Sequence, residues 1–111
     1  MPHSSGVLQK WRGFPKETHI LNIAAEFSRC LHWLNKESAK EVKQTLHRAF
    51  DLIDLTVDDP QWRGTRLKEL LRVREGLARF YLDAEKNKSA FVRLFKALLY
   101  LHPKSAAVQI G

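Results

Sequence analysis

Ile20, Ile23, Ala24, Phe27, Cys30, Leu31 and Leu34 recur at intervals of three and four residues. A helix turns about 100° per residue, so these side chains share one face, whereas a half-buried strand needs alternation at every second position. Three further segments carry the same spacing, and no alternating stretch competes with them. The chain is therefore expected to be all-α. The pattern predicts a first helix over about 17–35. A second opens at Ser38-Ala-Lys-Glu41, which reads as a capping box, and runs to about 57 with Ala39, Val42, Leu46, Ala49, Phe50 and Ile53 inward. A third covers about 65–82, and a fourth runs from Ser89 as N-cap to about 101, stopped by Pro103. Segments with glycine or proline, "GFP", "DDPQWRG" and "HPK", separate these helices. Such short connections favour antiparallel neighbours, which predicts an up-down-up-down four-helix bundle over 17–102. A flexible basic arm over 1–16 and a tail over 103–111 flank it.

A length of 111 residues suits one domain. The single cysteine, Cys30, excludes an intramolecular disulfide and fits a reducing compartment, so the cytoplasm is the expected location. The first residues lack the apolar run of a signal peptide, and no segment approaches the roughly 20 apolar residues of a membrane span.

Some apolar residues fall outside the inner faces. Leu21 and Trp33 do so on the first helix, Leu52 and Leu55 on the second, and Val92 and Leu99 on the fourth, which is apolar nearly all round. A helix of that kind is covered on more than one side. One reading puts it at the centre of a compact bundle. The other makes Leu52, Leu55, Val92, Leu99 and Trp33 an interface in a homo-oligomer or with a protein partner.

Chemical motifs are scarce. The five histidines, His3, His19, His32, His47 and His102, form no Glu-x-x-His pair and no cluster with Cys30, so no metal site is expected. Neither phosphate-cradling glycine motif occurs, and Cys30 on an inner helix face reads as a core residue rather than a nucleophile. No cofactor, small-molecule substrate or catalytic activity is expected. Asp51, Asp54, Asp58 and Asp59 crowd the end of the second helix, where they oppose its dipole and call for a basic neighbour such as Arg63, Arg66 or Arg74.

The charge of +7 is unevenly spread. Residues 17–59 hold five basic and eight acidic side chains, whereas 65–111 hold ten basic against four acidic. On the third helix Lys68, Arg72 and Arg79 form a stripe opposite the leucines. Arg93, Lys96 and Lys104 could extend it into a phosphate-binding surface. In "QKWRGF" and "PQWRG", Trp11 stands beside Arg12 and Trp62 beside Arg63, where an indole could stack on an unpaired base or else anchor a loop over the bundle end. Arg74 lies among Leu67, Leu70, Leu77 and Tyr81. A guanidinium there needs a carboxylate, a wet channel or a route to solvent; Asp54 is the first candidate partner for a buried ion pair and Glu26 the second.

The segment "FPKETHILNIAAEFSR" followed by "KEVKQTLHRAFDLIDL" resembles the FP-x-x-E and NIAEG-x-x-R helices of the four-helix proteins encoded by 23S ribosomal RNA intervening sequences, to which accessory proteins of diversity-generating retroelements are similar. The likeness covers residues 14–55 and implies a basic, ring-forming, non-enzymatic bundle that associates with RNA or a reverse transcriptase. Charge and resemblance together predict a non-catalytic oligomer that binds nucleic acid, RNA or single strands, or serves as accessory subunit of a ribonucleoprotein. The competing expectation is a module that docks a protein partner through its apolar helix faces.

Overall fold

A computed structural model describes residues 5–108 and 110; the rest of the expected arm (1–4, with His3) and tail (109 and 111) lies outside the described residues. Among the described residues there are five α-helices and no strand: α1 (Ser5–Arg12), α2 (Lys16–Asn35), α3 (Ala39–Val57), α4 (Gly64–Leu82) and α5 (Lys88–Leu99), followed by a 3-10 turn over Ser105–Ala107. No helix of the described residues is long and apolar enough to cross a membrane.

The joints follow local chemistry. Glu37 adopts φ 55°, and the N–H groups of Ser38 and Glu37 return to the carbonyls of Trp33 and Leu34, closing α2. A side chain in that left-handed region costs about 1 kcal/mol or more, where glycine would cost nothing. Ser38 is the N-cap of α3, but its hydroxyl makes no capping hydrogen bond, so the capping box is not formed. Gly64, at φ 62°, turns the extended Arg63 into α4 in a conformation suited to glycine. The N-cap of α5 is Asn87 rather than Ser89, its side-chain oxygen accepting from the N–H of Ala90. At the other end of that turn, the Lys86 ammonium reaches the carbonyls of Phe80, Tyr81 and Asp83, satisfying the free end of α4 with a cation as the helix dipole favours.

Helices α2 and α4 each pack against both α3 and α5. Their shared core contains Ile20, Ile23, Phe27, Leu46, Ile53, Leu70, Leu77, Phe91 and Leu98, all fully buried. At about 1.5–3 kcal/mol for each large apolar side chain removed from water, this cluster is the main source of stability. The rings of Phe27, Phe80, Phe91 and Phe95 meet one another at 5.1–6.5 Å, tying α2, α4 and α5 together.

Two added pieces change what the surface offers. Residues 1–16 are expected as a flexible arm, yet Ser5–Arg12 is helical and packs on α3 with Trp11 buried. An eight-residue helix is not stable alone, so burial of that indole is what fixes it. Beyond α5 the chain folds back, with the Ser105 hydroxyl within hydrogen-bond distance of the carbonyls of Leu99 and His102. Leu55 and Leu99 are consequently only 3% exposed, and Leu52, Val92 and Trp33 are half-buried. The expected apolar interface thus gives up two members to the chain's own extra segments, which also explains why α5 is apolar nearly all round.

Candidate nucleic-acid interface

The stripe of α4 lies where its spacing places it. Lys68, Arg72 and Arg79 are all exposed, spread over roughly 16 Å of helix axis at 1.5 Å per residue. What the fold adds is the neighbour. A Cβ at Gly76 would overlap the end of the Leu94 side chain, so any other residue there requires that leucine to shift. Two shallow hollows flank Leu94. One of about 300 Å³ is lined by Gly76, Arg79, Phe80, Asp83, Ala90 and Arg93; the other, of about 320 Å³, is lined by Glu69, Arg72, Val73, Ala97 and Tyr100. Arg72 and Arg79 of α4 therefore share one groove with Arg93 and Tyr100 of α5, whereas Lys96 lines a separate hollow beyond Tyr100, with Leu99, Ala106, Val108 and Ile110.

Among the described residues, Lys68, Arg72, Arg93 and Lys96 meet no carboxylate within ion-pair distance. Arg79 pairs with Glu75 at 2.6 Å, but both side chains are exposed, and such a surface pair is worth about 0–1 kcal/mol, little enough for a phosphate to replace. Glu69 and Asp83 also line the groove, so Arg72, Arg79 and Arg93 share it with two carboxylates. Lys104 does not join it; its ammonium lies 3.9 Å from Glu17 on α2.

The tryptophans are elsewhere, in a closed cluster at the junction of α1, α2, α3 and the α3–α4 loop. Trp11 is 6% exposed and Trp62 is 2% exposed, so neither can stack on a base. The Trp11 indole N–H donates to the Thr56 hydroxyl at 3.1 Å, and that of Trp62 donates to Nδ1 of His19 at 3.0 Å. Because an indole nitrogen only donates, Nδ1 of His19 is the acceptor and its ring proton sits on Nε2, facing the Trp11 carbonyl at 2.6 Å. The His19 ring stacks on the Trp11 indole at 4.6 Å and lies wholly buried. Asp59, also buried, accepts from the Gln61 N–H and lies 3.7 Å from His19 Nε2, so it belongs to this cluster rather than to a solvated helix end. Arg12 and Arg63 remain exposed beside it, and among the described residues neither lies over an aromatic ring. His32 and His47 are exposed.

Arg74 turns toward α3. Its Nε donates to Asp54 Oδ1 at 2.5 Å and its Nη2 to Oδ2 at 3.3 Å, and its guanidinium carbon lies 5.5 Å over the Phe50 ring. Hydrogen bonding to Asp54 raises the pKa of Arg74. The pair is not buried: its side chains are 40% and 45% exposed, because the long arginine stem carries the charge past the leucines to the rim. Glu26 is held instead by Arg29 at 2.8 Å and Arg48 at 3.1 Å.

Burial pushes the Cys30 thiol up to about 11, with a Thr45 hydrogen bond and the Lys86 charge acting against it, so near neutral pH it stays a protonated core group. Among the described residues, no group of three or more His, Cys, Asp or Glu side chains is placed to hold a metal ion. What the fold and groove define is a small all-α protein with a cation-lined cleft between two helices. No family model, curated protein or solved structure matches the chain.

Proposed function

We propose that this chain is a non-catalytic nucleic-acid-binding protein whose contact surface is the groove between α4 and α5. The observation that carries the reading is the meeting of Arg72 and Arg79 of α4 with Arg93 of α5 along one open groove, with Lys68 exposed on the same stripe one turn before Arg72; Lys68, Arg72 and Arg93 are free of carboxylate partners among the described residues. Such cations can displace the counterions condensed on a phosphate backbone, which supplies most of the affinity in sequence-tolerant binding. The four longer helices are read as an antiparallel up-down-up-down bundle, supported by their short connections and by the way α2 and α4 each contact both α3 and α5. The groove is lined by one chain. The RNA association implied by the likeness of residues 14–55 agrees with this reading, and a single buried, unpaired thiol suits work in the cytoplasm. Docking of a protein through apolar helix faces is the weaker reading, because Leu55 and Leu99 are covered by the chain itself.

Titration of the protein into labelled single-stranded and duplex oligonucleotides at about 50 mM salt tests the proposal. Binding is expected to weaken steeply with salt. For single strands, the slope of log K against log salt is expected to fall by about 1.4 in Lys68→Glu with Arg72→Glu, at roughly 0.7 for each phosphate that is no longer neutralised. Absence of binding at that salt, or a double variant that binds like the parent, overturns it.

A further inference from the structure

With both buried tryptophans excluded from base contact, the aromatic content of the groove rests on Tyr100. Phe14, Trp33, Phe50 and Tyr81 are half-buried, whereas Tyr100 is 67% exposed, as no other aromatic side chain of the described residues is. Its position is set by the end of α5: the N–H of Tyr100 closes the last turn on the Lys96 carbonyl, and the ring stands at the mouth of the hollow that Arg72 lines from α4. The walls there are Val73, Leu94 and Ala97, so the hollow offers an apolar floor beside an exposed ring, with Arg72 lining it and Lys96 in the next hollow beyond the ring.

We infer that this hollow receives one unpaired base, stacked on the ring of Tyr100, and that the groove is therefore selective for single-stranded over duplex nucleic acid. The inference rests on the groove reading and adds the substrate class. A duplex presents phosphates but keeps its base faces covered, so an exposed ring contributes nothing to it. In a single strand every base has a free face, and stacking is tolerant of sequence. Glu69 on the rim of the hollow supports a base over a phosphate at this point, since a carboxylate repels phosphate but accepts a hydrogen bond from an amino-bearing base edge. The cations are then left to track the backbone on either side.

The test compares Tyr100→Ala and Tyr100→Trp with the parent by anisotropy of labelled single-stranded RNA, single-stranded DNA and duplex DNA. Tyr100→Ala is expected to weaken single-strand binding about 5- to 100-fold, the effect of one unstacked base, with the salt slope and the duplex affinity unchanged. Tyr100→Trp is expected to keep the affinity and to show indole quenching on addition of oligonucleotide that the parent lacks. Because the side chain is exposed, thermal melts of all three proteins should coincide. Single-strand affinity of Tyr100→Ala within twofold of the parent, in a protein that still binds with the parent's salt slope, overturns the stacking inference and leaves the groove standing. No parental binding at about 50 mM salt overturns the groove, and the stacking inference with it.

Discussion

The junction around His19 and the groove beside Leu94 are assembled from the same ingredients, aromatic rings next to basic residues, and the fold puts them to opposite uses. At the junction each indole N–H has a partner on another element: Trp11 finds Thr56 of α3 and Trp62 finds His19 of α2. The rings are closed off and their arginines left in water. In the groove Tyr100 has no such partner among the described residues, and its ring stays open between Arg72, which lines one hollow with it, and Lys96, which lines the next. An aromatic beside an arginine therefore says little by itself. What decides is whether the polar atom of the ring is satisfied inside the fold, because a buried donor left unpaired costs about 1–3 kcal/mol and one with a partner does not.

The sharpest way to break this contrast is Trp62→Ala. It removes a large buried ring and leaves Nδ1 of His19 without its donor, so urea melts are expected to show a drop in stability of about 3–5 kcal/mol, enough to unfold much of the chain. If Trp62→Ala instead kept the fold and weakened nucleic-acid binding, the junction would be part of the binding surface after all.

A smaller effect is expected at Cys30, inside the core between the two regions. Its pKa is about 11 in the folded protein against an ordinary 9.0. Below pH 9 the thiol is protonated in both states. Between about 9 and 11 the unfolded chain ionises first, so the folded state holds the proton longer and stability falls as pH rises. Up to about 2–3 kcal/mol should be lost across that window, measured as the difference between the parent and Cys30→Ala in chemical denaturation at each pH. The same burial makes the native thiol resistant to alkylation at neutral pH. Rapid labelling of Cys30 in the native protein would show a core more open than the packing of α2, α3 and α5 allows.

How far each region was legible from residues alone follows from the range of its determinants. The four long helices can be read from spacings of three and four because that information is local, and the all-α class follows. The Lys68, Arg72 and Arg79 stripe is local for the same reason. Its meeting with Arg93 and Tyr100 is not, since it depends on how α5 packs against α4, where Leu94 lies against Gly76 across 18 positions of sequence. The fate of the tryptophans is equally non-local: His19 and Trp62 are 43 residues apart, and Trp11 and Thr56 are 45 apart. Helix α1 escaped the pattern because eight residues carry too few apolar positions to show a period. Its folding back is what covers α3, and the return of the chain past Ser105 covers Leu99. A surface that looked available for a partner was reserved for the ends of the same chain.

Arg74→Leu gives the smallest expected effect and separates two neighbouring arginines of α4. Arg72 faces the groove with no carboxylate partner among the described residues, whereas Arg74, two residues on, commits its guanidinium to Asp54 and the Phe50 ring. The Arg74 pair is 40% and 45% exposed, so its contribution is of the surface kind, about 0–1 kcal/mol, and a leucine in its place gains apolar contact with Leu70 and Leu77 that offsets the loss. Stability within about 1 kcal/mol of the parent and unchanged oligonucleotide affinity are therefore expected from a melt and a titration. Arg72→Leu should leave stability equally untouched and lower affinity. Weakened binding in Arg74→Leu to the same degree would mean that the contact surface extends round α4 onto the α3 side, and that the ion pair with Asp54 opens when nucleic acid binds.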